Sequence, residues 1–139
     1  MATLVEHISD LSTAIQSWIN KLRVVTLTFV IDGGGAAITT GDKGDLQIPF
    51  AGAIVGWSLL GDAAGSIVVE ISKGTYANWP TVSVITASAK PTLVTSRKGT
   101  STTLTGWTTA IAADDVLRIG VNSVTGMQRV VLVVKVRRG

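Results

Sequence analysis

The sequence predicts an all-β domain, a jelly roll or β-sandwich of about eight strands, preceded by one amphipathic helix. Three observations carry this. Apolar residues recur at steps of three and four only as far as Leu22. From Val24 onward the period is two, in short runs cut at regular spacing by Gly, Asp, Ser and Thr. No helical period returns after that point. Two segments are therefore expected: an oligomerising or anchoring helix over 1–23 and a β-sandwich domain over 24–139.

In the helix, Met1, Leu4, Ile8, Leu11, Ile15, Trp18 and Leu22 form a heptad seam. Ile8, Ile15 and Leu22 take the a positions and Leu4, Leu11 and Trp18 the d positions. Glu6, Ser9, Asp10, Ser12, Thr13, Gln16, Ser17 and Asn20 make a polar back. Ile at a with Leu at d favours two strands, but Val5 and Ile19 at e widen the apolar face and Trp18 is bulky for a dimer seam. A homodimer and a homotrimer both remain open. So does a plainer arrangement, in which an ordinary amphipathic helix covers its own β domain.

The first strand follows almost directly, Val25, Leu27, Phe29 and Ile31 alternating with Val24, Thr26, Thr28 and Val30, until Asp32-Gly33-Gly34-Gly35 breaks it. A second turn cluster is expected at Thr39 to Gly44, with irregular chain between. Leu46, Ile48 and Phe50 share one face of the next strand, and Pro49 marks an edge or an end. Ala53, Val55, Trp57 and Leu59, then Gly61 to Gly65, then Ile67, Val69 and Ile71, read as a hairpin. Lys73 to Pro80 is a loop bearing Tyr76 and Trp79. A weak strand near Val82 to Thr86, the breaker Lys90-Pro91, an exposed polar stretch from Ser96 to Thr103 and a short strand over Leu104 to Trp107 come next. Strands around Leu117, Ile119 and Val121, and from Arg129 to Val136, complete the count.

Composition narrows the classes. Charged residues make up 15% of the 139, against about 25% in ordinary soluble domains, so more of the surface than usual is expected to lie against protein. No apolar run approaches the length needed to span a bilayer, and no secretory signal is expected from a start without a basic n-region. With no cysteine there is no disulfide framework and no thiolate site. The net charge is +3, and Arg129, Lys135, Arg137 and Arg138 concentrate it late, as a secondary contact for an acidic protein surface. That stretch lacks the interleaved aromatics of a single-strand groove, so no direct nucleic-acid contact is expected.

No catalytic or cofactor site is expected. The single histidine, His7, lies in the heptad helix, so a triad has no base and a multi-histidine metal centre is excluded. Asp114-Asp115 and the trio Asp32, Asp42 and Asp45 do not match a calcium loop, and Asp beside Gly has a sufficient backbone reason in turns. Gly33-Gly34-Gly35 lacks the lysine and hydroxyl residue of a phosphate loop. Trp57 and Trp107 sit in strand-like contexts and read as core. Trp79, beside Pro80 in a loop, is the aromatic residue that suits an interface or a ligand.

The segment Phe29-Val30-Ile31-Asp32-Gly33-Gly34-Gly35-Ala36, continuing through Gly41-Asp42-Lys43-Gly44-Asp45-Leu46 and Pro49-Phe50-Ala51-Gly52, resembles a jelly-roll β domain recurrent in structural proteins of tailed phages. Gly56-Trp57-Ser58-Leu59-Leu60, Gly65-Ser66-Ile67-Val68-Val69, Thr75-Tyr76-Ala77-Asn78-Trp79-Pro80, Ser88-Ala89-Lys90-Pro91, Leu104-Thr105-Gly106-Trp107-Thr108 and Arg129-Val130-Val131-Leu132 extend the likeness over most of the chain after Phe29. Ala113-Asp114-Asp115 stands where such domains often have Gly-Asp. The resemblance implies a non-enzymatic virion protein, either a capsid cement (decoration) protein or a tail or head fibre module that binds a host-surface carbohydrate. Fibres usually carry a long shaft, whereas about three heptads are present here. The cement role is therefore the expectation: made in the host cytoplasm, seated on the capsid exterior without a membrane, and contacting the major capsid protein and its own copies.

Overall fold

The computed structural model describes residues 3–139; Met1, the first residue of the expected seam, lies outside them. The elements are α1 (Leu4–Leu22), β1 (Val24–Asp32), β2 (Gly41–Gln47), β3 (Gly52–Gly74), β4 (Ser83–Val84), β5 (Thr92–Ser101), β6 (Ala110–Ile111), β7 (Val116–Thr125) and β8 (Arg129–Arg138).

α1 begins in a capping box. The Glu6 N–H donates to Thr3 Oγ1 at 3.2 Å and the Thr3 N–H donates to Glu6 Oε2 at 2.6 Å, which satisfies two of the orphan donors at the helix start. Since no residue of α1 is buried, little else holds the helix in the single chain. Thr3→Ala should therefore cost about 1 kcal/mol of helix stability, read as lost helical signal in far-UV circular dichroism with the β signal unchanged.

The strands form one hydrogen-bonded sheet in the order β1-β8-β3-β7-β2, with β4, β5 and β6 along the other edge of β3. β3 is the spine. Its first half pairs with β8, from Gly52 opposite Arg138 to Gly61 opposite Val130. Its second half pairs with β7, from Ser66 opposite Thr125 to Gly74 opposite Val116. The sheet curls about this strand into a β-sandwich, so that its two ends face each other: a Cβ added to Gly44 of β2 would stand 2.8 Å from Cζ of Phe29 in β1.

Between the layers lie Leu59, Val69, Ile71, Leu117, Ile119, Leu132 and Val134, all fully buried. Trp57 and Trp107 are buried too, as their strand-like contexts suggested. The Trp107 indole N–H donates to the Ala89 carbonyl at 2.8 Å. That of Trp57 finds no acceptor among the described residues, which leaves a desolvated donor at a cost of about 1–3 kcal/mol.

Several element readings are corrected. The expected hairpin over Ala53 to Ile71 is one continuous strand, bent where Gly61 to Gly65 pass under Met127. The glycines there make room rather than a reversal. Gly41 to Gly44 belong to β2, with a register shift between Asp42 and Gly44. The polar stretch after Ser96 continues β5, which pairs with β3. Leu104 to Trp107 is a turn closed by the Trp107 N–H on the Leu104 carbonyl at 3.1 Å.

Candidate functional site

The described seam residues share one face of α1 and are all exposed, from 44% for Ile15 to 74% for Leu4. Trp18 is 65% exposed. The opposite face, with Ser12, Thr13, Gln16, Ser17, Asn20 and Lys21, looks across a cleft of about 760 Å³ at Val24, Val55 and Arg137. The helix thus turns its polar side toward its own domain and its apolar side away. This corrects the plainer reading of an amphipathic helix covering the sheet, because among the described residues the apolar stripe touches nothing that would repay its exposure. A single helix of 19 residues is marginal in water without a packed face. The heptad spacing is that of a stripe to be covered by other helices or by a grooved surface.

The four basic residues do not make one patch. Lys135 and Arg137 lie on one face near the end of β8, where the Lys135 ammonium is 3.5 Å from Thr100 Oγ1. Arg138 places its guanidinium over the Phe50 ring, 5.0 Å from the centroid. Arg129 begins β8, six residues and about 20 Å of strand from Lys135. At that far end the Asp62 carboxyl is held below its usual range, first by the backbone N–H of Arg129 and then by that of Gln128, against an opposing contribution from desolvation.

A second feature groups residues distant in sequence. Tyr76 and Trp79, from the loop after β3, border a depression of about 280 Å³ with Asp45 and Gln47 of β2 and Val116 of β7. The Arg118 guanidinium lies over the Trp79 ring at 4.7 Å. Its Nε donates to Asp45 Oδ1 at 2.9 Å, and Asp42 stands 3.9 Å away. The hydrogen bond that Arg118 donates to Asp45, more than the charges around it, raises the Arg118 pKa against partial desolvation. Tyr76 is 67% exposed. Only Trp79 was singled out from sequence; Asp45 and Arg118 are too far apart along the chain to show their pairing locally.

The remaining acids have structural work. Asp32 accepts from the Gly34 N–H at 2.7 Å within its own turn. Asp115 is buried, accepts from the Ala112 N–H at 2.9 Å and lies 3.7 Å from the Lys73 ammonium. Asp114, at φ 70°, occupies the left-handed position of that turn. Among the described residues no three His, Cys, Asp or Glu side chains gather as metal ligands, and no helix is long and apolar enough to cross a membrane.

No protein-family model matches the sequence, and no curated protein matches it. Among solved structures the chain is similar to the capsid of Ralstonia phage GP4, at 16% identity over 84% of each chain with a TM-score of 0.51. It is more distantly similar to the SPBc2 prophage-derived protein YomS, at 12% identity over 81% of this chain and 94% of that one, with a TM-score of 0.40. A carbohydrate-binding module from the family 9 glycoside hydrolase Cel9A of Ruminococcus flavefaciens FD-1 matches at 11% identity over 82% of each chain, with a TM-score of 0.39. The first of these likenesses is one of fold, the β-sandwich. The other two fall below the level at which a shared fold follows.

Proposed function

We propose that this chain is a virion structural protein of a tailed phage, a capsid cement protein that binds across neighbouring major-capsid subunits on the shell exterior and stiffens the shell. The observation that carries the reading is the heptad seam of α1 from Leu4 to Leu22, exposed and turned away from its own domain. The fold likeness to a phage capsid chain supports the shell as the partner. In this reading residues 1–23 are the joint and 24–139 the body. Leu4, Ile8, Leu11, Ile15, Trp18 and Leu22 pack against the shell or against sister copies in a dimer or trimer. Lys135, Arg137 and Arg138 add an acid-facing contact near one end of β8, with Arg129 a separate one at the other.

Burying each of these apolar side chains is worth roughly 1.5–3 kcal/mol, of which association and ordering take back a large share. Whatever remains favours the closed shell by mass action, since the protein binds the assembled lattice and not its dispersed subunits. No catalytic step, cofactor, membrane or nucleic acid enters. Quantitative mass spectrometry of purified virions tests the placement: copies in a fixed ratio to the major capsid protein support it, and absence from the particle sinks it.

A second reading, a fibre module that binds a host-surface carbohydrate, draws on the depression beside Trp79. Aromatic rings stack on the apolar faces of sugars, while a carboxylate accepts from sugar hydroxyls and an amide both accepts and donates. Here Tyr76 and Trp79 stand beside Asp45 and Gln47. On this reading Trp79→Ala lowers affinity for a responding glycan at least about tenfold, the loss expected of 1.4 kcal/mol of stacking. A glycan array without a response removes the fibre reading and leaves the cement reading untouched.

A further inference from the structure

The outer edge of β1 is open and unguarded. At one end the Arg138 N–H donates to the Arg23 carbonyl at 2.9 Å, and at the other the Gly33 N–H donates to the Gln128 carbonyl at 2.8 Å. Antiparallel pairs alternate between bonded and unbonded. The odd-numbered residues of β1 therefore direct N–H and C=O toward β8. Val24, Thr26, Thr28, Val30 and Asp32 direct theirs outward, where among the described residues no strand meets them.

Other outer strands carry the usual defences against strand addition. β2 has a register shift and the charges Asp42, Lys43 and Asp45. β5 breaks register twice against β3 and bears Arg97 and Lys98. β1 keeps register with β8 over its whole length and contains no glycine, proline or charge before Asp32. Its inward side chains Val25, Leu27 and Phe29 are only half-buried although they pack on the core.

We propose that β1 pairs edge to edge with β1 of a second copy of this chain, antiparallel and centred on Thr28. This register sets Thr26 opposite Val30, Leu27 opposite Phe29 and Val25 opposite Ile31, so the inward apolar side chains meet one another and no equal charges face each other. Thr28 meets itself across the two-fold axis. Up to about ten backbone hydrogen bonds form from groups that now face solvent. Asp32 of each copy comes beside Val24 of the other, and Val24 already neighbours Arg137 on the same face. Two strand spacings separate that arginine from the new carboxylate, about 10 Å between Cβ atoms, which the two side chains span. The pairing uses a surface continuous in sequence with α1 but independent of its seam. A protein with both contacts joins neighbours in two directions, as an isologous axis combined with a separate interface requires.

The full-length chain with Ile8→Asp and Ile15→Asp, which disables the seam, isolates this contact. Analytical ultracentrifugation should show it as a dimer, with slow hydrogen exchange at the amides of Thr26, Thr28 and Val30. Adding Thr28→Lys should give a monomer with an unchanged circular dichroism spectrum, raising the dimer dissociation constant at least about 100-fold by placing a charge on the edge. Thr28→Pro, which removes an outward N–H and leaves the β8 pairing intact, should do the same. A monomeric seam variant whose outward amides exchange freely overturns the proposal and leaves the cement reading standing. A dimer that survives both Thr28 substitutions overturns it equally.

Discussion

On the cement reading, Ile8→Asp combined with Ile15→Asp should abolish shell binding while leaving the β domain as stable as before. Both side chains lie at a positions of the seam and are exposed in the single chain, Ile8 at 58% and Ile15 at 44%, so neither contributes packing to the sandwich. In a covered seam each substitution forfeits roughly 1.5–3 kcal/mol of apolar burial and adds the cost of desolvating a carboxylate. A total of at least about 4 kcal/mol corresponds to an affinity loss of roughly 1000-fold. Shell binding followed by co-sedimentation, beside thermal melting of the free protein, separates the two effects. Undiminished binding would move the joint from α1 to the body.

Gly65→Ala should damage the sandwich severely for so small a substitution. Gly65 is buried at the bend of β3, and a Cβ there would stand 2.5 Å from the Thr125 carbonyl oxygen, 3.0 Å from that of Gly126 and against the Met127 side chain. Backbone oxygens cannot step aside as a flexible side chain can. The expected loss is about 3 kcal/mol, which for a domain of this size lowers the melting temperature by roughly 10 °C. Met127 is itself fully buried, so Met127→Ala costs stability alone; combined with Gly65→Ala, a favourable coupling of about 1 kcal/mol is expected from the relieved side-chain contact. An unchanged melting point for Gly65→Ala would mean that β3 does not run unbroken past residues 125–127 and that the hairpin reading was right.

How much of the fold was legible depended on whether burial imposed a period. α1, β1, β7 and β8 were visible because each has two faces in different surroundings, which writes a period of 3.5 or two into the residues. β5 was not. Much of Thr92–Ser101 is exposed along the outside of β3, so no apolar alternation marks it. Gly61 and Gly65 misled because a glycine required by close approach is indistinguishable in sequence from one required by a turn. The direction of the helix was equally hidden, since an amphipathic stripe states that a face will be covered without naming what covers it. Around Trp79 the loop aromatics were apparent, whereas Arg118 over the ring and Asp45, its hydrogen-bond acceptor, came together only through the pairing of β2 with β7.

Reconstitution on capsids assembled without this protein tests the cement role most directly. Purified chain is titrated onto the shells while bound copies are counted and shell melting is followed. Cement function predicts saturation at a fixed ratio to the major capsid protein and a higher shell melting temperature, both lost with Ile8→Asp and Ile15→Asp. No saturable binding, or binding that leaves shell stability unchanged, would contradict it.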